Sequence, residues 1–306
     1  MPTRRPLRVA AIIVTWNSAD VIAECVESIL ASVFDGSIET IVVDNASSDD
    51  TVRVVEQRSP ATVIVQTGRN AGYAAGINAG MQNASEPDAY LLLNPDLRVD
   101  PHAIRALTDA LQVSHAGIVV PKLVDAAGSL RFSLRREPTA RRAWGEALLG
   151  GTRAGRIPFL GEVEMRREFY QRPGRADWAT GAAMLISRDC VAQVGAWDES
   201  YFLYSEETDF ALRARDAGFA LEYTPEATTV HFEGESHQSP ALFSLLEHNR
   251  VKLYRSRHGA LAGAAFWAGV VVGNVIRFAS PTRRAALAVL FGDQRRMAAP
   301  TLADAG

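Results

Sequence analysis

A chain of 306 residues, 47% hydrophobic and 22% charged, has enough apolar material for a real core, which excludes a disordered or fibrous protein. It is large enough for one big domain, or a domain with an appendage, and its formal charge of -3 gives no bulk attraction to nucleic acid. Arginine is nevertheless clustered at 131–142, at 153–175 and near the C-terminus, so the surface is expected to be locally basic. Cys25 and Cys190, far apart in apolar surroundings, are expected as buried free thiols in a reducing cytosol.

The apolar run after Arg4, Arg5 and Arg8 is short and lacks a small-residue cleavage site, so residues 9–14 are expected as a first strand, not a signal peptide. Residues 39–43, 62–66 and 89–93 are further short aliphatic runs ended by polar turns. Between them, 20–30, 49–57 and 74–82 are predicted helices. In the first, Ile22, Val26, Ile29 and Leu30 share a face and Ser18 stands as N-cap. This alternation implies parallel pairing with right-handed crossovers, a doubly wound nucleotide-binding half. Residues 130–177, rich in Arg, Gly and Pro with Trp144, Phe159, Phe169 and Tyr170 scattered through, are expected as a long loop over the site or a poorly ordered insertion. Residues 178–187 read as a strand through the core, and 205–217 as a helix with Phe210, Ala211, Ala214 and Ala217 inward, ended by Gly218. Strands at 221–223 and 228–232 and a helix at 239–257 follow.

Polar residues recur where strands end, the edge at which open α/β sheets bind ligands. Asp44 ends a strand and precedes Asn45, Ser47 and Asp49; it can accept from a ribose hydroxyl or a base N–H, or it can cap the next helix with Ser47. Gly68, Gly72, Gly76 and Gly80 either let a phosphate approach the backbone or make a turn and a small-residue packing helix. After the apolar 91–93 run, Asn94-Pro95-Asp96 places a carboxylate to meet a divalent cation shared with substrate phosphates, while Asn94 can bind a sugar hydroxyl. Glu206, Glu207 and Asp209 begin a helix behind the apolar Phe202-Leu203-Tyr204; they complement its dipole, or one of them takes a proton from an attacking hydroxyl. His231 ends a strand before Phe232-Glu233-Gly234-Glu235 and is a metal candidate with Asp96; His237, His248 and His258 have no such context.

Together these motifs resemble the inverting family 2 glycosyltransferases of the GT-A fold, in particular rhamnosyltransferase-like bacterial members that build cell-wall or surface polysaccharide. The resemblance is carried by Val14-Thr15-Trp16-Asn17, Asp44-Asn45-x-Ser47-x-Asp49, Arg69-Asn70-x-Gly72-Tyr73 and Leu93-Asn94-Pro95-Asp96. It continues through Trp178-Ala179-Thr180-Gly181-Ala182 and Trp197-Asp198-Glu199-x-Tyr201-Phe202 into Glu206-Glu207-x-Asp209, over residues 8–258. It implies an α/β fold with a Rossmann-like, mainly parallel central sheet flanked by helices. Residues 1–100 would be the nucleotide-binding half, 101–258 the acceptor and catalytic half, and 259–306 a C-terminal helical extension. Position by position, Thr15, Asn17, Asp44 and Asn70 would hold the nucleotide, Asn94 and Asp96 would complete the donor site, and Asp96 and His231 would bind Mn2+ or Mg2+. Glu207 falls where the family has an aspartate as general base, with Glu206 and Asp209 as the other candidates. Asn94-x-Asp96 carries one charge fewer than the family's D-x-D, which implies looser metal binding.

The implied activity is inverting transfer of a sugar, L-rhamnose from dTDP-rhamnose, to a saccharide or lipid-linked saccharide acceptor. The alternatives are a UDP-hexose donor or a non-catalytic nucleotide-sugar-binding homologue. A sugar-1-phosphate nucleotidyltransferase is disfavoured because no Gly-rich, Arg/Lys-bearing loop follows the first strand. The apolar 261–276 and 285–291 stretches, flanked by Arg277, Arg283, Arg284, Arg295 and Arg296, suit a segment lying in an anionic membrane interface, or a hairpin that packs on the domain or forms a homodimer seam. The expected location is cytoplasmic, peripheral at the inner face of the cell membrane.

Overall fold

The computed structural model describes residues 6–232 and 239–292. Arg4, Arg5, Glu233, Gly234, Glu235, His237, Arg295 and Arg296 lie outside the described residues. The amino-terminal half alternates β1 (Arg8–Thr15), α1 (Ile22–Leu30), β2 (Ser37–Asp44), α2 (Thr51–Arg58), β3 (Val63–Gln66), α3 (Tyr73–Gln82) and β4 (Ala89–Leu93). Residues not assigned from the sequence supply β5 (Leu97–Val99), α4 (Ala103–Ser114) and β6 (Ile118–Val124). Next come β7 (Leu134–Arg135), α5 (Ala140–Leu149), α6 (Gly151–Gly155), β8 (Gly174–Ala176), β9 (Trp178–Ala179), β10 (Ala183–Ser187) and α7 (Arg188–Val194). The chain closes through α8 (Glu206–Asp216), β11 (Leu221–His231), α9 (Pro240–Ile276) and α10 (Pro281–Leu290).

The main sheet runs β3-β2-β1-β4-β10-β6-β11-β5, with β8 also beside β11. Strands β1 to β4 pair in parallel, as do β6 and β11, while β10 lies antiparallel between β4 and β6. The carboxyl ends of β1, β2, β4 and β11 therefore share one edge. Helices cover both faces, which explains the unbroken apolar runs of the strands. Along β1, Val9, Ala11 and Ile13 join the core of α1 and α4, while Ala10, Ile12 and Val14 join that of α3 and α8. Both cysteines are buried free thiols, and burial pushes each up to about 12.

Several expectations change. The 130–177 stretch is a built substructure: α5 and α6 lie between β7 and β8, and Tyr170 donates to Glu164 O (3.0 Å) and accepts from Leu134 N (2.9 Å). The expected strand 178–187 is two strands, β9 paired with β7 and β10 inside the main sheet, because the chain leaves the sheet at Thr180-Gly181. The two strands expected at 221–223 and 228–232 are one, with its register against β6 shifting between Thr224 and Thr228. Ser18 does not cap α1: its Oγ donates to Trp16 O, and the helix starts after Val21 without a side-chain cap. Gly76 and Gly80 are packing residues, since a Cβ on either would come within 2.5 Å of Val14 or Ile12.

In α9 the structure takes the hairpin alternative. By length and composition this helix could cross a membrane, but Gly259 (φ 79°) reverses it into a hairpin. Tyr254 stacks on Phe266 at 4.3 Å, and Asn274 donates to Glu247 (3.2 Å), so the two arms lie antiparallel. Only glycine adopts this backbone without strain. The second arm packs on α5 through Gly269 and Gly273, and Arg250 ties the first arm to Glu146 of α5 (3.1 Å) and to Glu162 (2.9 Å).

Candidate active site

At the carboxyl edge, Thr15 and Asp44 end neighbouring parallel strands in register. The Asp44 carboxylate is buried and accepts from its own turn, from Ser47 N (3.2 Å), so it shapes that loop and caps no helix. Asn17 joins the two loops: its N–H donates to Ser47 Oγ (2.8 Å), and its Oδ1 accepts from Ser48 N (2.8 Å). Asn70 accepts from Gly72 N (3.1 Å), and the buried Asn45 amide donates to Gly72 O (3.0 Å). These three expected nucleotide ligands thus hold the loops that line one crevice. Thr15 Oγ1 is buried without a hydrogen-bond partner among the described residues, a polar atom left for a ligand. Asn94 is anchored by its backbone N–H, which donates to Ala182 O (2.8 Å).

Asp96 and His231 are distant in sequence and adjacent in space. Leu97 faces His231 in the antiparallel β5–β11 pair, and Phe232 N donates to Asp96 O (3.0 Å). This brings Asp96 Oδ1 to 3.2 Å from His231 Nε2, with the side chains 18% and 16% exposed. A hard carboxylate oxygen beside an imidazole nitrogen fits a divalent ion such as Mn2+. No group of three or more His, Cys, Asp and Glu gathers to hold a metal among the described residues, so an ion held by this pair would need its remaining ligands from elsewhere.

The second half of the site is the head of α8. Tyr204 and Ser205 both take left-handed backbone conformations (φ 68° and 75°), strain of about 1–3 kcal/mol each. Asn249 of α9 holds them by donating to Leu203 O (2.9 Å) and Tyr204 O (3.1 Å). The preceding loop is fixed by Asn78, which brackets Trp197 and bonds Glu199 (2.9 Å). Phe202 O then accepts from Tyr73 N (2.9 Å), and Gly72 (φ 92°) passes so close that a Cβ would lie 2.2 Å from that oxygen. Asn249→Ala is expected to lower turnover about tenfold while removing on the order of 1–3 kcal/mol of stability, measured by steady-state kinetics and thermal melts.

The three carboxylates of α8 have different surroundings. Asp209 is bound to Arg213 (2.7 Å) and is not available as a base. Glu206 is buried; burial and the neighbouring Glu207 charge push it well above the usual carboxylate range. Glu207 is pushed up to about 7, chiefly by burial, against the lowering effect of backbone N–H groups and of Arg135. Its Oε2 has no hydrogen-bond partner among the described residues. Gly181 borders Glu207, where a Cβ would lie 3.5 Å from Glu207 Cβ, and Gly181 O accepts from the Tyr73 hydroxyl (3.0 Å). Burial, more than the neighbouring carboxylates, pushes that phenol well above its usual range, so Tyr73 stands beside the base candidate as a hydrogen-bond donor.

Sequence reasoning gave no role to Tyr73, Arg135 or Asn249. Tyr73 sat in a quoted motif, but Asn249 is an ordinary helical residue until the fold lays it on Tyr204. Arg135 lies over the Trp178 ring (5.8 Å), donates only to backbone carbonyls, and forms no ion pair among the described residues.

A family model described as Glycosyltransferase like family 2 matches residues 6–252. The chain is 31% identical over 225 residues to the N-acetylglucosaminyl-diphospho-decaprenol L-rhamnosyltransferase of Mycobacterium tuberculosis strain H37Rv, covering 70% of this chain and 72% of that protein. It is 24% identical over 234 residues to the rhamnosyltransferase WbbL of Escherichia coli K12, covering 74% and 84%. Among solved structures, a mannosyltransferase from Pyrobaculum calidifontis in complex with GDP-Man and Mn2+ aligns with a TM-score of 0.59 at 17% identity, covering 95% of this chain and 77% of that one. At that identity the likeness speaks for the fold alone. Matched across the sheet and both halves of its crevice, the chain belongs to glycosyltransferase family 2, with a GT-A type of fold.

Proposed function

We propose that the protein is a metal-dependent, inverting hexosyltransferase that moves L-rhamnose from dTDP-rhamnose to a lipid-linked saccharide in cell-wall or polysaccharide assembly. The observation that carries the mechanism is Glu207, a buried carboxylate pushed up to about 7 whose Oε2 has no hydrogen-bond partner among the described residues, on the same side of the fold as Gly181 and Tyr73. Thr15, Asn94 and the loops fixed by Asn17, Asp44 and Asn70 seat the nucleotide. Asp96 and His231 would hold Mn2+ or Mg2+, whose charge offsets that developing on the departing diphosphate. Glu207 takes the proton of the acceptor hydroxyl as its oxygen bonds the anomeric carbon and the bond to the diphosphate breaks, which inverts that centre. Glu206 beside it is pushed well above the usual carboxylate range by burial and by the Glu207 charge. The two relatives named as rhamnosyltransferases support the sugar, and the decaprenol in one name supports a lipid-linked acceptor and work at the inner face of the cell membrane.

The test is thermal stabilisation by dTDP, UDP, GDP and CDP, each with and without Mn2+. At about 100 times Kd a true ligand adds roughly 2.7 kcal/mol of stability. A metal-dependent shift with dTDP alone is expected. A shift with UDP alone would keep the enzyme and replace the sugar; no shift with any nucleotide would leave a non-catalytic homologue.

A further inference from the structure

We propose that one end of the molecule, formed by Leu148 and Leu149 of α5 with Val275, Ile276 and Phe278 at the end of α9, is a docking surface for an anionic lipid bilayer. These five side chains are 41–63% exposed. They come from two distant segments joined by Arg277, which donates to Ala147 O (2.9 Å) and Gly273 O (2.9 Å) and so closes both helix ends. Single exposed apolar residues are ordinary, but a cluster gathered from two helices marks an interaction site.

Charge identifies the occupant. Residues 138–161 carry four arginines and one glutamate, and residues 259–292 carry three arginines and no carboxylate. The lone Glu146 is occupied by Arg250 (3.1 Å). Arg153 of α6 and Arg156 just after it, both exposed and a few residues beyond Leu149, form no ion pair among the described residues, and neither does Arg284, whose guanidinium lies 5.8 Å from the Phe278 ring. Apolar side chains fringed by unpaired arginines fit the interface of an anionic membrane. A second copy of the chain would set like charges against each other.

The surface docks and does not span. The arm after Gly259 has 17 residues, 260–276, and at 1.5 Å per residue is only about 25 Å long, short of the ~30 Å hydrocarbon core. Its Phe266, Val270 and Asn274 are buried against the protein. Of the 261–276 stretch that suits a membrane interface by sequence, only the end is thus offered, and α5 supplies the rest. This end is braced against the first arm of α9, where Asn274 bonds Glu247 and Arg283 lies over the Phe243 ring (4.3 Å).

The experiment is sedimentation of the full chain with phosphatidylcholine vesicles, with and without phosphatidylglycerol. It reads no catalysis, so it stands or falls apart from the donor and base assignments. Binding is expected with phosphatidylglycerol only, to weaken on the order of tenfold in L148E/F278E, and to lose its preference for anionic lipid in R153E/R284E. Thermal melts and nucleotide binding of both variants should match the parent, which shows that they fold. The proposal is overturned if the parent stays in solution with both vesicles, if L148E/F278E binds as the parent does, or if the patch variants instead dissolve a dimer.

Discussion

Glu207→Gln is expected to lower turnover by about 10²–10⁴ while leaving nucleotide binding intact. Neither neighbour stands in the same position, because Asp209 is committed to Arg213 and Glu206 is buried, its carboxyl pushed well above the usual range. The parent rate should rise with pH through a limb near 7, where Glu207 loses its proton, and the variant should lose that limb. Stability runs the other way. A carboxyl whose folded pKa lies above its unfolded value of 4.5 favours the fold below that value and loses this contribution as pH rises through about 7. Above pH 7 the variant, with no charge to bury, should melt no lower than the parent. Rate–pH profiles and melts of both proteins check this; a variant that kept the parent rate would move the base elsewhere.

The strand-end residues were legible in sequence because a buried parallel strand leaves an apolar run that stops abruptly, as at Thr15, Asp44 and Asn94. The partners that make those ends a site were not. Asp96 and His231 meet only because β11 pairs with β5, a short strand with no distinctive pattern. Arg- and Gly-rich composition hid α5, whose buried Ala143 and Ala147 pack on Gly269 and Gly273 of α9 and whose Gly145 packs on the turn at Leu160. The end of the 239–257 helix was legible, and Gly259 is where the structure breaks α9; what composition could not decide was whether the apolar arm that follows meets a membrane or the domain. Choosing among Glu206, Glu207 and Asp209 needed Arg213, four residues on, whose ion pair removes Asp209.

Asp96→Ala is expected to cost about 10² or more in turnover and to abolish the Mn2+ dependence of nucleotide stabilisation. With only two protein donors at the site, losing the carboxylate leaves one imidazole, too little to retain an ion that already has one charge fewer than a D-x-D pair provides. His231→Ala should do less harm, since the anionic donor remains. If both residues serve one ion, their effects will not add: D96A/H231A should be little worse than D96A alone. The cycle also separates chemistry from architecture. Asp96 meets β11 through its backbone oxygen, bonded to Phe232 N, so the fold keeps that contact when the side chain is cut. Loss of the metal-dependent shift with an unchanged melting temperature for the nucleotide-free protein would place the effect at the ion. A parallel fall in both would instead make the Asp96–His231 contact a brace between β5 and β11, and additive single effects would argue against a shared ion.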